Sequence, residues 1–314
     1  MQVVFHFDAS DALVRRVTAL SGDGIEIRCC AESDPTAFAR ELPRLEVIWH
    51  VLRPVTEEVI GSAPRLKLVQ KIGSGVNTIA VEAAAARGIA VCNLPGTNSR
   101  AVAEMALLLM LACLRRLGEL DRAVRRPGGW LEAWGLQDGF GELGGRSVGL
   151  IGYGAVPRLL APMLATLGAK PIYWSRAAKP DLPYPWRPLD ALLAESDLVS
   201  LHLPLGPDTG KLIDAKALAR MKPGAILINT ARGALVDEAA LAQALREGRI
   251  GAAGLDVFAQ EPSPADHPLL KLPNVVCAPH LAWLTQETLK RSLDVALENV
   301  RRLRGGKPLL HRVA

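Results

Sequence analysis

Apolar and polar positions alternate along roughly the first 95 residues in a pattern that predicts short strands separated by helices. Helical patterns cover residues 10–20, 35–41, 55–62 and 78–87. The predicted strands between them are Val3–Phe7, Ile25–Arg28, Val47–Val51, Leu66–Ile72 and Ile89–Cys92. Strands that alternate with helices favour a parallel sheet with helices on both faces, so this part predicts an α/β domain.

The same alternation restarts at Ser147 and predicts a second α/β domain. An apolar strand, Val148–Ile151, runs into a glycine-containing turn, and a helical pattern then continues to about Gly168. The strand Pro171–Trp174 completes a strand–turn–helix–strand unit, which is typical of dinucleotide binding. Later predicted strands are 198–203, 225–229, 252–257 and 275–278, with helices near 188–195, 214–220 and 237–247.

The boundary between the domains is predicted from two features. The turn-rich segment Asn93–Arg100 precedes an apolar helix, Ala101–Leu114, and this change indicates a domain junction. The segment Arg122–Gly145 is predicted to be a surface loop with half-buried aromatic side chains. The long last helix, Thr285–Leu303, could return to the first domain and make that domain discontinuous.

Composition and charge narrow the class of protein. The chain has 314 residues, 49% hydrophobic and 22% charged, as in ordinary globular proteins. A net charge of +5 without a basic cluster interleaved with aromatic residues argues against nucleic acid as a partner. The longest apolar run, Met105–Leu114, is too short to span a bilayer, and the N-terminus lacks a signal-sequence pattern, so no membrane association is predicted.

The five cysteines have neither the spacing of a zinc site nor that of a disulfide framework. Cys92, Cys113 and Cys277 lie in apolar runs and are predicted to be buried free thiols. Free thiols favour a reducing compartment, so we predict a cytoplasmic protein with no metal site.

Polar residues follow the predicted strands at positions where a parallel sheet collects its ligands. In the first domain the strand end is Gly73–Asn77, where glycines allow a ligand to approach the backbone. In the second domain the strands are followed by Arg232, by Asp256 and Glu261, and by His280. Each residue alone also fits a structural role in a turn, a salt bridge or the solvent. Their shared location at one sheet edge favours a common site.

These residue types indicate a reaction class. An arginine can bind a substrate carboxylate with two hydrogen bonds and polarise the neighbouring carbonyl group. A histidine can donate or accept a proton near neutral pH, and a neighbouring glutamate would orient its imidazole. A nicotinamide would carry the hydride. Arg232, Glu261 and His280 therefore predict a dinucleotide-dependent oxidoreductase.

The dinucleotide motif departs from its usual form at two places. Pro157 replaces the third glycine of G-x-G-x-x-G, and because proline is tolerated in a first helical turn we expect the coenzyme site to be retained. Ser175 and Arg176 stand 21 and 22 residues after Gly154, where an acidic residue would bind the ribose of NADH. Serine, arginine and the nearby Lys179 suit a 2′-phosphate, so we predict NADPH in preference to NADH.

Several stretches resemble one family, the D-isomer-specific 2-hydroxyacid dehydrogenases. The resemblance covers about residues 45–300. Its matching stretches are GSGVNTIAVEAAAARGIAVCNLPGTNSRAVAE (73–104), ELGGRSVGLIGYG (142–154), DLVSLHLPLGPDTGKLID (197–214), MKPGAILINTARGALVDEAAL (221–241), GLDVFAQEP (254–262) and NVVCAPHLAW (274–283). Taken together they are specific, whereas the glycine motif alone is weak.

The resemblance implies a two-domain architecture. A flavodoxin-like substrate-binding domain would contain residues 1–98 and 286–314, and a Rossmann domain would contain residues 99–285. The resemblance also implies an active site in the cleft, a homodimer formed through the coenzyme domain, and a small 2-keto or 2-hydroxy acid as substrate. We therefore expect reduction of glyoxylate or hydroxypyruvate with NADPH, with NADH as the less favoured coenzyme.

The resemblance assigns roles to individual positions. Arg232 resembles the substrate-binding arginine, His280 the acid/base and Glu261 its partner. Ser74 and Gly75 resemble the backbone clamp on the substrate carboxylate, and Trp283 would narrow the substrate pocket, as in some hydroxypyruvate reductases. The implied coenzyme-binding residues are Gly152, Gly154, Ala155, Val156, Ser175, Arg176, Lys179, His202, Pro204, Thr209, Thr230, Ala231 and Asp256, the last holding the nicotinamide carboxamide.

Two alternatives remain at this point. The same fold serves NAD(H)-sensing corepressors, which also carry the arginine, glutamate and histidine, and turnover of a keto acid would separate them from an enzyme. The second alternative is a related enzyme acting on another anion, such as phosphite or formate. Formate enzymes of the family carry glutamine beside the histidine, so Glu261 argues against formate, whereas phosphite is harder to exclude.

Overall fold

The computed structural model describes residues 1–314, which divide into two compact α/β units. Unit 1 contains Met1–Asn98 and Leu284–Ala314, and unit 2 contains Ser99–Trp283. Unit 1 is therefore built from two separate parts of the chain.

A five-stranded parallel sheet forms the centre of unit 1. Its strands are β1 (Gln2–His6), β2 (Glu26–Cys30), β3 (Val47–His50), β4 (Leu68–Lys71) and β5 (Ala90–Cys92). They are arranged in the order β2-β1-β3-β4-β5, and every neighbouring pair is parallel. All residues of β3, β4 and β5 are buried, as expected for a sheet covered on both faces.

Five helices accompany this sheet. They are α1 (Asp11–Thr18), α2 (Pro35–Glu41), α3 (Glu57–Gly61), α4 (Val81–Ala86) and α12 (Gln286–Arg304). Polar residues cap four of them, because the side chains of Ser10, Asp34, Thr56 and Thr285 accept hydrogen bonds from the first turns of α1, α2, α3 and α12.

Helix α12 belongs to unit 1 because a buried amide joins it to the sheet. Asn299 is fully buried, and its Nδ2 donates to Gln70 Oε1 on β4 at 2.7 Å. The same amide group accepts from Leu310 N at 2.7 Å and so also fixes the tail that follows the helix. The tail then pairs with β5, where Val91 N donates to Ala314 O at 3.0 Å.

A six-stranded parallel sheet forms the centre of unit 2. Its strands are β6 (Ser147–Ile151), β7 (Lys170–Trp174), β8 (Leu198–Leu201), β9 (Ala225–Asn229), β10 (Ile250–Leu255) and β11 (Val275–Cys277). Their order is β11-β10-β9-β8-β6-β7, and a single parallel bridge pairs Tyr173 of β7 with Trp186. Counting that bridge as a rudimentary strand gives the arrangement of a dinucleotide-binding sheet, in which the strand order reverses between β6 and β8.

Helices cover both faces of the unit 2 sheet. They are α5 (Ser99–Leu114), α6 (Leu117–Val124), α7 (Gly129–Trp134), α8 (Ala155–Thr166), α9 (Leu189–Glu195), α10 (Ala215–Arg220) and α11 (Glu238–Arg246). One core lies among α9, α10 and α11, where Leu192, Leu218 and Leu241 are buried. The other core contains Leu109 of α5 and Leu160 of α8. No helix of the chain is both long and apolar enough to cross a membrane.

Two sequence predictions are wrong in this unit. The segment Arg122–Gly145 was expected to be a loop, but it contains the end of α6, the whole of α7 and a short 3₁₀ helix. Trp130 and Trp134 are both 66% exposed and are not half-buried. Cys277 is exposed instead of buried, because it ends β11 at the edge of the sheet, while Cys92 and Cys113 are buried as predicted.

Candidate active site

The glycine turn after β6 leaves backbone open to a ligand. Gly152 has φ +94°, and a Cβ there would lie 2.5 Å from the carbonyl oxygen of His202, so only glycine fits. A Cβ on Gly154 would meet nothing within 4 Å, and this residue caps α8 without any side-chain hydrogen bond. The start of this twelve-residue helix therefore offers free N–H groups and the positive end of its dipole to an anion.

Pro157 does not disturb this turn. Helix α8 begins at Ala155, followed by Val156, so Pro157 occupies its first turn, where a missing N–H breaks no helical hydrogen bond. The proline ring is buried, as the packing role of the replaced glycine would require. The geometry fits the pyrophosphate of a dinucleotide, with Ala155 and Val156 at the helix start.

The strand next to the turn contributes His202. Its N–H donates to Ile151 O at 2.8 Å, and its Nε2 lies 2.9 Å from Ser200 Oγ. Burial lowers the pKa of His202 to about 3, so the imidazole is neutral. Thr209 shapes the loop that follows, because its hydroxyl accepts from Gly206 N at 2.8 Å and donates to Pro204 O at 2.9 Å.

The end of β9 carries a polar loop held by one buried amide. Asn229 is 1% exposed; its Nδ2 donates to Arg232 O at 2.8 Å and its Oδ1 accepts from Ala231 N at 3.0 Å. Asn229 was given no role from the sequence, although a polar residue ending an all-apolar strand was a usable signal. Thr230, which lies between Asn229 and Ala231, is buried, and its hydroxyl has no hydrogen-bond partner. A ligand amide would satisfy that hydroxyl, which fits a nicotinamide group.

Arg232 follows this loop and lies beside Glu261. Its Nη1 donates to Ala231 O at 2.6 Å. Burial lowers the pKa of Arg232, and the charge of Glu261 partly offsets that effect, so the guanidinium remains charged in a partly desolvated place. The next residue, Gly233, brings the two segments together: a Cβ there would lie 1.9 Å from the carbonyl carbon of Phe258.

Glu261 and His280 form a close pair. Nδ1 of His280 donates to Glu261 Oε2 at 2.6 Å, and Glu261 Oε1 accepts from Phe258 N at 2.9 Å. Burial alone would raise the pKa of Glu261, but the hydrogen bond and charge of His280, together with the Phe258 N–H and Arg232, lower it overall. The side chains are 31% and 22% exposed, so the pair is fixed by the protein and still accessible.

Asp256 fixes the backbone that carries His280. His280 N donates to Asp256 O at 2.7 Å, and the Asp256 carboxylate accepts from Leu281 N at 2.9 Å and Ala282 N at 3.0 Å. Burial raises the pKa of Asp256, and these two N–H donors oppose the shift. His280 has φ +56°, an uncommon conformation for a non-glycine residue, and these three hydrogen bonds hold it there.

The predicted substrate residues divide between the units. Ser74 and Gly75 lie after β4 in unit 1, where Asn93 Nδ2 donates to Ser74 O at 2.8 Å and thereby holds the loop. Trp283 lies at the end of unit 2 and is buried, with 7% of its surface exposed.

The predicted coenzyme-selecting residues lie after β7. Arg176 and Lys179 are exposed, and Ser175 is half-buried. The Ser175 hydroxyl donates to Ala177 O at 2.6 Å, so its proton is used within the loop. A 2′-phosphate would therefore be bound chiefly by the two cationic side chains.

Together these features define a class of protein: a dinucleotide-binding α/β protein with an arginine, a carboxylate and an imidazole gathered at the carboxyl ends of its strands. Comparison with known proteins gives the family. The model of the D-isomer specific 2-hydroxyacid dehydrogenase NAD-binding domain matches residues 107–282, more than half of the chain. The chain belongs to the D-isomer-specific 2-hydroxyacid dehydrogenase family.

Individual relatives agree with this family and carry different substrate names. A glyoxylate reductase of Korarchaeum cryptofilum is 42% identical over 252 residues, 79% of this chain and 76% of that protein. A D-3-phosphoglycerate dehydrogenase of Mycobacterium leprae is 40% identical over 298 residues, 93% of this chain and 55% of that protein. The chain thus spans about half the length of that relative.

A solved structure agrees over the whole chain. The TT0316 protein of Thermus thermophilus superposes with a TM-score of 0.89 at 36% sequence identity and covers 100% of both chains. The fold of this chain is therefore similar to that of an experimentally determined structure.

Proposed function

We propose that this protein reduces small 2-keto acids, with glyoxylate and hydroxypyruvate as substrates, to D-2-hydroxy acids, and that it prefers NADPH to NADH. The observation that carries the proposal is the 2.6 Å hydrogen bond between His280 Nδ1 and Glu261 Oε2. It leaves Nε2 of His280 to exchange a proton with a substrate oxygen. Family membership and the glyoxylate reductase relatives support the reaction class.

The proton step depends on how the ionised Glu261 holds His280. Because Glu261 accepts the Nδ1 proton, the imidazole presents Nε2 and can carry a second proton there. That proton passes to the keto oxygen as the substrate is reduced. In the reverse direction, neutral His280 accepts the hydroxyl proton through the same nitrogen.

The substrate's carboxylate requires a fixed cation. Arg232 offers a forked guanidinium beside Glu261, and it also stabilises negative charge that develops on the keto oxygen. We assign Ser74 and Gly75 to binding a substrate carboxylate through their backbone, and Trp283 to limiting the size of the substrate side chain. The family resemblance supports these assignments.

The coenzyme is assigned to the strand ends of unit 2. A bound NADPH supplies the hydride. Gly152 and Gly154 let its pyrophosphate approach the start of α8, and the unpaired hydroxyl of Thr230 suits the nicotinamide amide. We also assign Asp256 to the carboxamide, although its two oxygens already accept backbone N–H groups, because a carboxylate has lone pairs for further donors.

A panel of 2-keto acids, each assayed with NADPH and with NADH, tests the proposal. We expect glyoxylate and hydroxypyruvate to give the highest kcat/KM, and NADPH to exceed NADH with both. Absence of turnover with every keto acid, together with tight coenzyme binding, would instead support a coenzyme-sensing protein. Turnover of phosphite alone would support the other alternative.

A second candidate substrate is D-3-phosphoglycerate. The 40% identity to a D-3-phosphoglycerate dehydrogenase over 93% of this chain favours it. Oxidation of D-3-phosphoglycerate, assayed beside glycolate and D-glycerate, separates the two. A kcat/KM for the phosphorylated acid above those of the other two would assign it as the substrate.

We further propose that the protein forms a homodimer through α5, α6 and α7. Most of the large exposed apolar side chains of the chain lie on or beside these helices. They are Leu108, Leu111, Leu117, Val124, Trp130, Leu131, Trp134 and Phe140. A concentration of exposed apolar side chains in one segment of the chain favours an interface with a partner. Light scattering should give twice the 33.6 kDa chain mass. The double substitution Trp130→Lys and Leu131→Lys should lower the measured mass toward that of the monomer.

A further inference from the structure

The loop that follows β7 is held at two points by aromatic side chains. Tyr173 is 1% exposed, and its hydroxyl accepts from Lys179 N at 2.7 Å and donates to Lys179 O at 3.2 Å. Trp186 Nε1 donates to Ser175 O at 3.0 Å. Both bonds reach backbone atoms of the loop, so they fix its path and leave the side chains of Arg176 and Lys179 free to bind a ligand.

The same two aromatic residues pair with each other through their backbones. Tyr173 N donates to Pro185 O at 3.0 Å, and Arg187 N donates to Tyr173 O at 2.8 Å. The segment around Trp186 therefore lies against β7 and gives both anchors a rigid base. A loop fixed at its start and at its middle loses less conformational entropy when it binds a ligand.

Ring packing connects this loop to the glycine turn. Tyr153 is the residue between Gly152 and Gly154, and its ring centroid lies 4.7 Å from that of Tyr173. The ring centroid of Tyr184, which lies two residues before Trp186, is 6.4 Å from that of Tyr153. Burial raises the pKa of Tyr153 to about 12, so it remains a neutral packing residue. The turn and the loop therefore keep a fixed spacing.

We propose that Tyr173 and Trp186 are positioning residues for coenzyme selection: they hold the 175–179 backbone so that Arg176 and Lys179 meet the 2′-phosphate of NADPH. This inference rests on the proposed NADPH preference. The two cationic side chains are exposed and long, and without a fixed backbone their charges would be distributed over many positions. The effect of the anchors is therefore specific to ligands that carry the 2′-phosphate.

Binding measurements that need no turnover can test this inference. Calorimetry would compare adenosine 2′,5′-bisphosphate with 5′-AMP, and NADP⁺ with NAD⁺, for the wild type and for Tyr173→Phe. This substitution keeps the ring and removes only the hydroxyl. We expect Kd for the 2′-phosphorylated ligands to rise about fivefold to tenfold, as for the loss of one or two net hydrogen bonds. Kd for 5′-AMP and NAD⁺ should change less than about twofold.

The chain offers a matched control in Tyr184→Phe. It removes a hydroxyl from the same aromatic cluster, and that hydroxyl makes no hydrogen bond within the chain. We expect no change in Kd for either class of ligand, with or without the 2′-phosphate. Trp186→Phe removes the second anchor and should act like Tyr173→Phe, so it also carries the test if Tyr173→Phe does not fold.

The outcomes separate this inference from the coenzyme proposal. In the first outcome, the wild type binds the 2′-phosphorylated ligands more tightly, but the two anchor variants leave Kd unchanged or raise it equally for all ligands. This outcome overturns the positioning role alone. A wild type that binds both classes of ligand equally overturns the NADPH preference and the positioning role with it. A selective loss in both anchor variants, with Tyr184→Phe unchanged, supports the inference.

Discussion

His280 and Glu261 are joined by a 2.6 Å hydrogen bond from Nδ1 to Oε2, although they lie on different segments after β10 and β11. The pair depends on two supports. Phe258 N donates to the other oxygen of Glu261, and Asp256 fixes the backbone of His280 through three hydrogen bonds. The imidazole is therefore oriented before any substrate arrives, which is what positioned proton transfer requires.

Glu261→Gln should impair turnover and leave coenzyme binding unchanged. The amide can still accept a hydrogen bond but no longer provides the negative charge that stabilises a protonated imidazole. We expect kcat for 2-keto acid reduction to fall on the order of 10²-fold, with Kd for NADP⁺ within about twofold of the wild type. An unchanged kcat would show that the charge of Glu261 does not contribute.

Gly233→Ala should disrupt the site through packing. The added Cβ would lie 1.9 Å from Phe258 C and 2.2 Å from Ala259 N, and both are backbone atoms that cannot rotate away. We expect loss of activity and a destabilisation of about 3 kcal/mol or more, measured by chemical denaturation.

Gly61→Ala is the matched control, since a Cβ on Gly61 meets nothing within 4 Å. This substitution should leave the activity unchanged and should change the free energy of unfolding by no more than about 0.5 kcal/mol. If Gly233→Ala behaved like this control, the close approach of the two segments would be refuted.

Two histidines with lowered pKa values should make the protein less stable in acid. Burial, aided by Arg53, lowers the pKa of His6 to about 4, and burial lowers that of His202 to about 3. Both pKa values are below that of an unfolded histidine, so the unfolded state binds more protons as the pH falls below about 6.5. Stability contributed by the neutral imidazoles is thus present above that pH and lost on acidification toward the folded pKa values.

The expected loss between about pH 7 and about pH 5 is on the order of 2 kcal/mol for each imidazole. Urea denaturation at the two pH values would measure it. His6→Gln removes one titrating group and should reduce the pH dependence relative to the wild type. An identical pH dependence in the variant would contradict the depressed pKa of His6.

Ser175→Asp should reverse the coenzyme preference. A carboxylate at this position can accept hydrogen bonds from a ribose and repels a 2′-phosphate. We expect the ratio of kcat/KM for NADPH to that for NADH to fall by about tenfold or more, which corresponds to about 1.4 kcal/mol. A wild-type ratio at or below one would contradict the preference before any substitution is made.

Hydrophobic periodicity located every strand, although not always at its observed bounds, because buried parallel strands are continuous apolar runs. Strand β9 was predicted at its observed bounds, and β10 was displaced by two residues. The same signal failed for Arg122–Gly145, where two short helices expose their apolar side chains instead of burying them. Hydrophobic periodicity reflects which side chains are buried within one chain. Helices that expose their apolar side chains do not show this pattern.

The candidate site was predictable in its residue types and not in its connections. Arg232, Glu261 and His280 could be named because each follows a strand of one sheet. The support from Tyr173 could not, because it depends on hydrogen bonds to backbone atoms whose positions a sequence pattern does not contain. The proton of Ser175, engaged by Ala177 O, was missed for the same reason. Asn229 differs, because its place at the polar end of an apolar strand is visible in the sequence.

The most direct test of the central claim is kcat for glyoxylate and hydroxypyruvate reduction by wild type and His280→Ala, measured at saturating NADPH. We predict a decrease of about 10²–10⁴-fold in the variant, because the proton donor to the keto oxygen is removed. Coenzyme binding should remain intact as a check on folding. A His280→Ala protein that turns over both keto acids at the wild-type rate would contradict the assignment of His280 as the acid/base.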